Sequence, residues 1–158
     1  MGYLSGSNIT NYRGSNFKII VSGSEHQFIF DNGRGYYDTK YVQVGCADYT
    51  GSYNRVLVAG LGIGVIPQWF AKEKQAIVDV VEINPEIIDV VKSFGYLDDN
   101  INIIEGDIFN FNPSGSYDLA VMDIWFDFYT PLYYEQTGSL ITKYSSSADI
   151  VSIPFRNI

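Results

Sequence analysis

Cysteine and histidine are nearly absent from this 158-residue sequence. Cys46 is the one cysteine, which excludes an internal disulfide framework and any metal site built from several cysteines. It fits a reducing compartment such as the cytoplasm, and we interpret it as a small buried apolar residue. The one histidine, His26, lies in an alternating pattern typical of a strand. It is therefore assigned no chemical role.

Positive charge is also scarce, with 10 basic residues against 18 acidic ones and a formal net charge of −8. Such a protein repels phosphate backbones, and its bases are scattered, so nucleic acid is not expected as a partner. The acidity would suit a cationic substrate, and a requirement for solubility alone explains it equally well. No apolar run reaches transmembrane length and the N-terminus lacks a signal pattern, so no membrane association is expected.

What the sequence does contain is an ordered series from Arg55 to Glu82. An apolar run, a Gly60-Leu61-Gly62-Ile63-Gly64 turn, a helical pattern from Val65 to Glu73 and a second apolar run ending in Glu82 follow one another. This order predicts the first half of a nucleotide-binding βαβ unit. Glu82 would lie at the end of the second strand, where a carboxylate can bind a ribose diol. The alternative is a glycine-rich turn in an α/β protein without a ligand.

The flanking segments complete an α/β pattern behind a short β unit. Residues 1–16 are predicted to be a loop or a loosely docked arm, and Tyr36 to Val44 to be either a strand or a short helix. Strands are expected at Phe17–Val21, His26–Asp31, Ile101–Ile104, Asp118–Met122 and Asp149–Phe155, and helices at Pro85–Phe94, between an Asn84 cap and Gly95, and at Thr130–Gln136. We therefore predict a β-hairpin segment over residues 1–50 and an α/β domain over residues 51–158.

Candidate ligand-binding residues follow the first four predicted strands of the α/β domain, namely the glycine loop, Glu82, Asp107 and Asp123. The carboxyl ends of parallel strands share one edge, where ligands bind. This coincidence favours a ligand site over a ligand-free turn. Other acids are interpreted as ordinary surface residues, namely Asp79, Asp89, Asp98 and Asp99.

These motifs resemble the S-adenosylmethionine-binding core of class I methyltransferases, and most closely its spermidine synthase branch. The segments that carry the resemblance are Val56–Gly64, Val80–Pro85, Glu105–Asp107 and Tyr117–Asp123. It implies a Rossmann-like domain, shortened at its C-terminal end, that binds S-adenosylmethionine or its decarboxylated form. The sequence departs from polyamine synthases at Ile63, where they carry an aspartate, and after Asp123, where Ile124 and Trp125 replace serines.

The resemblance also implies roles for individual residues. Gly60, Gly62 and Gly64 would face the methionine moiety and the ribose, and Glu82 would hold the ribose hydroxyls. Ile83 and Ile108 would contact the adenine ring, and Asp107 would accept a hydrogen bond from its amino group. Asp123 would be the catalytic residue beside the sulfonium and the nucleophile. Tyr37 corresponds loosely to an N-terminal pocket residue of that branch.

The aromatic residues after Asp123 have two interpretations. They could line a pocket for an ammonium or sulfonium group, or they could be core or interface residues. A pocket role is favoured for Trp125 alone, and Asp127 is either a second amine anchor or a solvated loop acid. The residues in this cluster are Trp125, Phe126, Phe128, Tyr129, Tyr133 and Tyr134.

The leading hypothesis is a transferase that moves an aminopropyl or methyl group from its cofactor to a small amine. The alternatives are cleavage of S-adenosylmethionine without an acceptor, a non-catalytic ligand-binding or assembly protein and, least favoured, a nicotinamide-dependent dehydrogenase. A sheet that ends at its fifth strand would expose an edge, which predicts a homo-oligomer, most simply a dimer.

Overall fold

A computed structural model describes residues 10–22, 25–32, 36–38, 42, 45–125 and 129–154, with the backbone alone at 36–38. The strands are β1 (Tyr12–Arg13), β2 (Phe17–Ser22), β3 (Glu25–Phe30), β4 (Tyr36–Asp38), β5 (Arg55–Ala59), β6 (Ile77–Glu82), β7 (Ile101–Glu105), β8 (Tyr117–Met122) and β9 (Ala148–Ser152). The helices are α1 (Val65–Glu73), α2 (Pro85–Phe94) and α3 (Pro131–Tyr144). Residues 42, 45 and 46 are also helical. No helix in these ranges is both long enough and apolar enough to span a bilayer.

The second half of the chain forms a parallel sheet in the order β7-β6-β5-β8-β9. Its central strands are apolar on both faces because helices cover both sides, as expected of an α/β sheet. The chain builds outwards from β5 through β6 to β7, and then returns to place β8 on the other side of β5. This reversal creates a crevice between the carboxyl ends of β5 and β8. The predicted Rossmann-like fold is confirmed.

The N-terminal strands form a separate antiparallel sheet in the order β1-β2-β3-β4. The predicted hairpin is confirmed, with Phe17 opposite Phe30 and Ser22 opposite Glu25. The two-residue strand β1 lies in a segment predicted to be a loop, and is too short to show a period. The segment predicted as strand or helix, Tyr36 to Val44, contains both, because β4 covers residues 36–38 and residue 42 is helical.

Local signals place the boundaries of α2 where they were expected. The Asn84 side chain accepts a hydrogen bond from the Glu86 N–H at 3.0 Å, and Gly95 ends the helix with φ of 71°. The end predicted for α3 was wrong, since that helix continues past Gln136 to Tyr144. Its second half buries Leu140 and Tyr144 against the sheet, and this burial outweighs the weak helix propensity of the Thr137-Gly138 pair.

One apolar cluster joins the antiparallel sheet to one side of the parallel sheet. Phe17 and Phe28 stack at 4.8 Å within the same core that contains α1, α2 and Val121. The Ser15 backbone N–H and hydroxyl both donate to the Glu86 carboxylate, each at 2.8 Å. A second cluster packs α3 against the other side of the parallel sheet.

Asp79 is buried, so its interpretation as a surface acid was wrong. The Tyr117 hydroxyl donates to its carboxylate at 2.7 Å, the Asn102 amide at 3.1 Å and the Arg55 guanidinium at 3.3 Å. These donors come from three neighbouring strands, and Arg55 also lies over the Tyr117 ring. The network links β5, β6, β7 and β8 in the amino-terminal half of the sheet, away from the crevice.

Candidate functional site

Strand register brings the predicted site residues to one edge of the sheet. Ala59 pairs with both Val81 and Met122, so that Gly60, Glu82 and Asp123 all lie one position beyond paired residues. Glu82 at the end of β6 pairs with Glu105 at the end of β7, and Asp107 follows Glu105 by two residues. Asp107 therefore lies just beyond the same edge of the sheet. The structure therefore brings together the glycine loop and the three carboxylates.

The glycine loop turns sharply from β5 into α1. Gly60 has φ of 94°, and a Cβ at this position would overlap the carbonyl oxygen of Asp123. Gly64 has φ of 86° and is the N-cap of α1, with no side chain capping the helix. Side chains are thus excluded where the backbones of the β5 and β8 loops meet. The uncapped N–H groups and positive dipole end of α1 lie directly behind the loop.

Glu82 holds the glycine loop in place. Its carboxylate is almost fully buried and accepts from the Leu61 N–H at 2.9 Å and from the Asn84 N–H at 3.0 Å. Each carboxylate oxygen has further acceptor capacity after these bonds. The side chain can therefore support the loop and accept hydrogen bonds from a diol at the same time.

The residues assigned to the adenine differ in exposure. Ile83 is 67% exposed, an unusual position for an isoleucine directly after a buried strand. Asp107 accepts from the Phe109 N–H at 3.0 Å and from the Asn110 side-chain amide at 3.3 Å, which orders the turn after β7. Ile108 is buried in the α3 cluster, and its side chain offers little free surface.

Asp123 follows β8 at the crevice, where its backbone N–H donates to the Ala59 carbonyl at 3.0 Å. Burial raises the pKa of its carboxyl group to about 7. Among the residues that the structure describes, none donates a hydrogen bond or a positive charge to this carboxylate. A carboxylate in such a place can exchange a proton near neutral pH.

Three residues near Asp123 were not recognised from the sequence as site residues. The Tyr49 hydroxyl and the Ser152 hydroxyl are hydrogen-bonded at 2.8 Å, and Ser152 pairs with Val121, two residues before Asp123. Cys46 is buried, as expected, and burial together with the Asp123 charge raises the pKa of its thiol to about 12. No motif marks these residues, which lie before β5 and in β9.

Of the residues predicted to bind the substrate, the structure describes the side chain of Trp125 but not those of Tyr37 and Asp127. The Trp125 indole N–H donates to the Gln136 side chain at 2.8 Å, and its ring meets Tyr133 edge-on. Tyr133 is almost fully buried, so of the interpretations left open for this cluster the structure places it in the core. Tyr37 lies on β4, where only the backbone is described, and Asp127 lies outside the described residues. No group of three potential metal ligands occurs within the described ranges.

No protein-family model matches the sequence, and no curated protein matches it. Solved structures do match, and one is a probable spermidine synthase from Corynebacterium glutamicum, with a TM-score of 0.56, 15% identity, and coverage of 79% of this chain and 55% of that one. The CalS10 amino pentose methyltransferase from Micromonospora echinaspora, solved with S-adenosylmethionine, has a TM-score of 0.51, 15% identity, and coverage of 70% and 44%. Human methyltransferase-like protein 13, solved with S-adenosylhomocysteine, has a TM-score of 0.50, 20% identity, and coverage of 68% and 59%.

These matches show the fold. The chain has the class I methyltransferase fold that its motifs predicted, and the matched structures include one described as a spermidine synthase. The chain spans about half the length of the solved structures it matches.

Proposed function

We propose that this protein is a transferase that binds S-adenosylmethionine, or its decarboxylated form, and moves a methyl or aminopropyl group to a small amine. The observation that carries the proposal is the common register of Gly60, Glu82 and Asp123 at the crevice between β5 and β8. The solved structures of the same fold that bind S-adenosylmethionine or S-adenosylhomocysteine support it.

The residues at the crevice fit an adenosyl ligand. Because Gly60 carries no side chain, the backbones of the β5 and β8 loops come close together at the crevice, and the free N–H groups of α1 face the same place. Glu82 has acceptor capacity for ribose hydroxyls, Ile83 has exposed apolar surface for adenine, and Asp107 follows on the adjacent strand. When bound, the sulfonium of the ligand would supply an activated alkyl group.

Asp123 is the residue proposed to act on the acceptor. With a pKa of about 7, its carboxylate can accept a proton from an ammonium group near neutral pH. It can also hold the amine oriented for attack, which lowers the entropic part of the barrier. Both actions require the carboxylate to be ionised before the acceptor binds.

Calorimetry with S-adenosylmethionine and with its decarboxylated form tests ligand binding. We expect heat of binding from at least one of them, and folded protein that binds neither would overturn the proposal. Mass spectrometry of the products then separates transfer from cleavage, because transfer requires an added amine and cleavage does not. Product that forms equally well without any amine would contradict a transferase.

We further propose a homo-oligomer in the cytoplasm with no nucleic-acid partner. The net charge of −8 disfavours phosphate backbones, and the single buried thiol is compatible with a reducing compartment.

A further inference from the structure

We infer that Tyr49 and Ser152 form, together with Asp123, a subsite that binds the protonated amino group of the acceptor. This inference rests on the proposed function and extends it, because it assigns the acceptor end of the crevice to residues outside the adenosyl-binding motifs. The acceptor is the small amine of the proposed function, bound here as an alkylammonium ion.

The position of the hydroxyl pair follows from strand register. Ser152 pairs with Val121 in the last strand pair of the sheet, so both lie just before the carboxyl end where Asp123 begins. Tyr49 precedes β5 and reaches this place over α1, where its ring contacts Phe70 at 5.2 Å. Val121, Phe70 and Tyr49 belong to the same side of the sheet. The pair therefore lies beside the crevice on the side that α1 covers.

Tyr49 and Cys46 both pack in the apolar core on this side of the sheet, close enough to Asp123 to feel its charge. Burial and the neighbouring Asp123 carboxylate raise the pKa of both the Tyr49 phenol and the Cys46 thiol to about 12, although the hydrogen bond from Ser152 opposes this effect at Tyr49. Both groups therefore stay neutral at physiological pH. Near the Asp123 carboxylate, the described part of the chain therefore offers neutral hydroxyl and thiol groups and no positive charge.

That combination recognises an ammonium group. After their mutual hydrogen bond, the two hydroxyls keep one O–H donor and several oxygen lone pairs. An alkylammonium ion carries donors for the Asp123 carboxylate and for the hydroxyl oxygens, and its alkyl chain can lie against Cys46. A positively charged acceptor would also supply the compensating charge that Asp123 lacks among the described residues.

The alternative role of the hydroxyl pair is to stabilise the fold, since its hydrogen bond joins residues 103 positions apart. Calorimetry with n-butylamine as the probe at pH 7.5 separates the two roles, with n-butanol as the uncharged comparison. We expect n-butylamine to bind and n-butanol not to bind. Tyr49→Phe and Ser152→Ala should each weaken n-butylamine binding about tenfold, as expected for a lost hydrogen bond to a charged group. Ser152→Thr, which keeps the hydroxyl, should restore it.

The matched control is Tyr53→Phe, because Tyr53 also contacts the Phe70 ring, edge-on at 6.0 Å, and no described hydrogen bond joins it to β9. The affinity for S-adenosylhomocysteine should stay unchanged in all of these variants. A lower melting temperature in Tyr49→Phe and Ser152→Ala with unchanged n-butylamine affinity would show that the pair only stabilises the fold, and would overturn the inference. Wild-type protein that binds S-adenosylhomocysteine but not n-butylamine would overturn it and leave the proposed function standing. Protein that binds neither would remove both.

Discussion

Asp123 lies in surroundings that make its ionised form costly. Burial raises the pKa of its carboxyl group to about 7, and no described neighbour offers a compensating charge. Its role was predicted from its place after a strand, but its environment depends on Cys46 and Tyr49, which precede it by more than 70 positions. A residue that is destabilising in its charged state is typical of functional sites.

We expect Asp123→Asn to abolish turnover and to stabilise the fold. Losing the base should lower the rate at least 100-fold while ligand affinity is retained. The folded-state pKa lies above the unfolded value of 3.8, so the wild-type protein loses stability as pH rises from about 4 to about 7. The asparagine has no such loss, and its advantage should be absent near pH 4 and reach a few kcal/mol above pH 7. Urea unfolding across this range measures it, and undiminished turnover would show that the role assigned to Asp123 is wrong.

We expect Glu82 both to bind the ligand and to hold the glycine loop in its conformation. In Glu82→Gln, one of the two carboxylate acceptors becomes an NH2 donor that faces a backbone N–H of Leu61 or Asn84. We expect S-adenosylmethionine affinity to fall at least tenfold and stability to fall by about 1–3 kcal/mol. Calorimetry and urea unfolding measure the two effects. Glu105→Gln, at the paired and exposed position on β7, is the matched control, and an equal effect there would argue against a specific role for Glu82.

At the scale of elements, local signals placed α2 correctly and failed for α3. The cap at Asn84 and the glycine at position 95 act within a few residues, so they can be recognised in the sequence. The second half of α3 contains Gly138 and depends on burying Leu140 and Tyr144 against distant strands. Propensity over a short window cannot include that contribution.

Gly60 in the glycine loop and Gly95 after α2 share a left-handed backbone but differ in their surroundings. Gly60 has φ of 94° and no space for a Cβ beside Asp123, whereas Gly95 has φ of 71° and nothing within 4 Å of that position. Gly95→Ala should cost about 1–2 kcal/mol from backbone strain alone. Gly60→Ala should cost clearly more and should weaken ligand binding. Urea unfolding compares them, and equal costs would show that the close approach at Gly60 has no energetic effect.

The Asp79 network is expected to stabilise the pairing of β5, β6 and β8. Asp79→Ala would leave the buried Tyr117 hydroxyl without its acceptor and the Arg55 guanidinium without its partner. We expect a loss of about 2–4 kcal/mol in the free energy of unfolding, measured with urea. Asp89→Ala, at an exposed position of α2, should change it by less than about 0.5 kcal/mol. Similar values for the two variants would contradict the network's contribution.

For the whole molecule, the position of β9 bears on assembly. Within the described residues β9 is an outer strand of the parallel sheet, and Ile150 on it is 51% exposed. Unpaired strand edges invite pairing with another chain. The edge of β9 is therefore the surface at which we expect a second chain to pair.

We expect light scattering at micromolar concentration to show a dimer or larger homo-oligomer. Ile150→Glu should shift the protein towards monomer, because an interface at this edge would then have to bury a charged side chain. Ile77→Glu is the matched control, since Ile77 is 53% exposed but lies on the interior strand β6. A monomeric wild-type protein would contradict the prediction.

Local chemistry in the chain was enough to predict the parallel sheet, the glycine loop and the acids at the strand ends. Turn residues, helix caps and apolar periods act over a few positions, and the edge shared by parallel strands follows from geometry alone. The same reasoning placed Glu82, Asp107 and Asp123 on one rim without any contact between them being known.

Only the tertiary structure showed that Asp79 is buried, that α3 extends to Tyr144, and that the Tyr49 and Ser152 hydroxyls are hydrogen-bonded to each other. Each of these depends on contacts between residues far apart in the chain. Burial and pKa are properties of surroundings assembled by folding. They are therefore not encoded in any short segment of sequence.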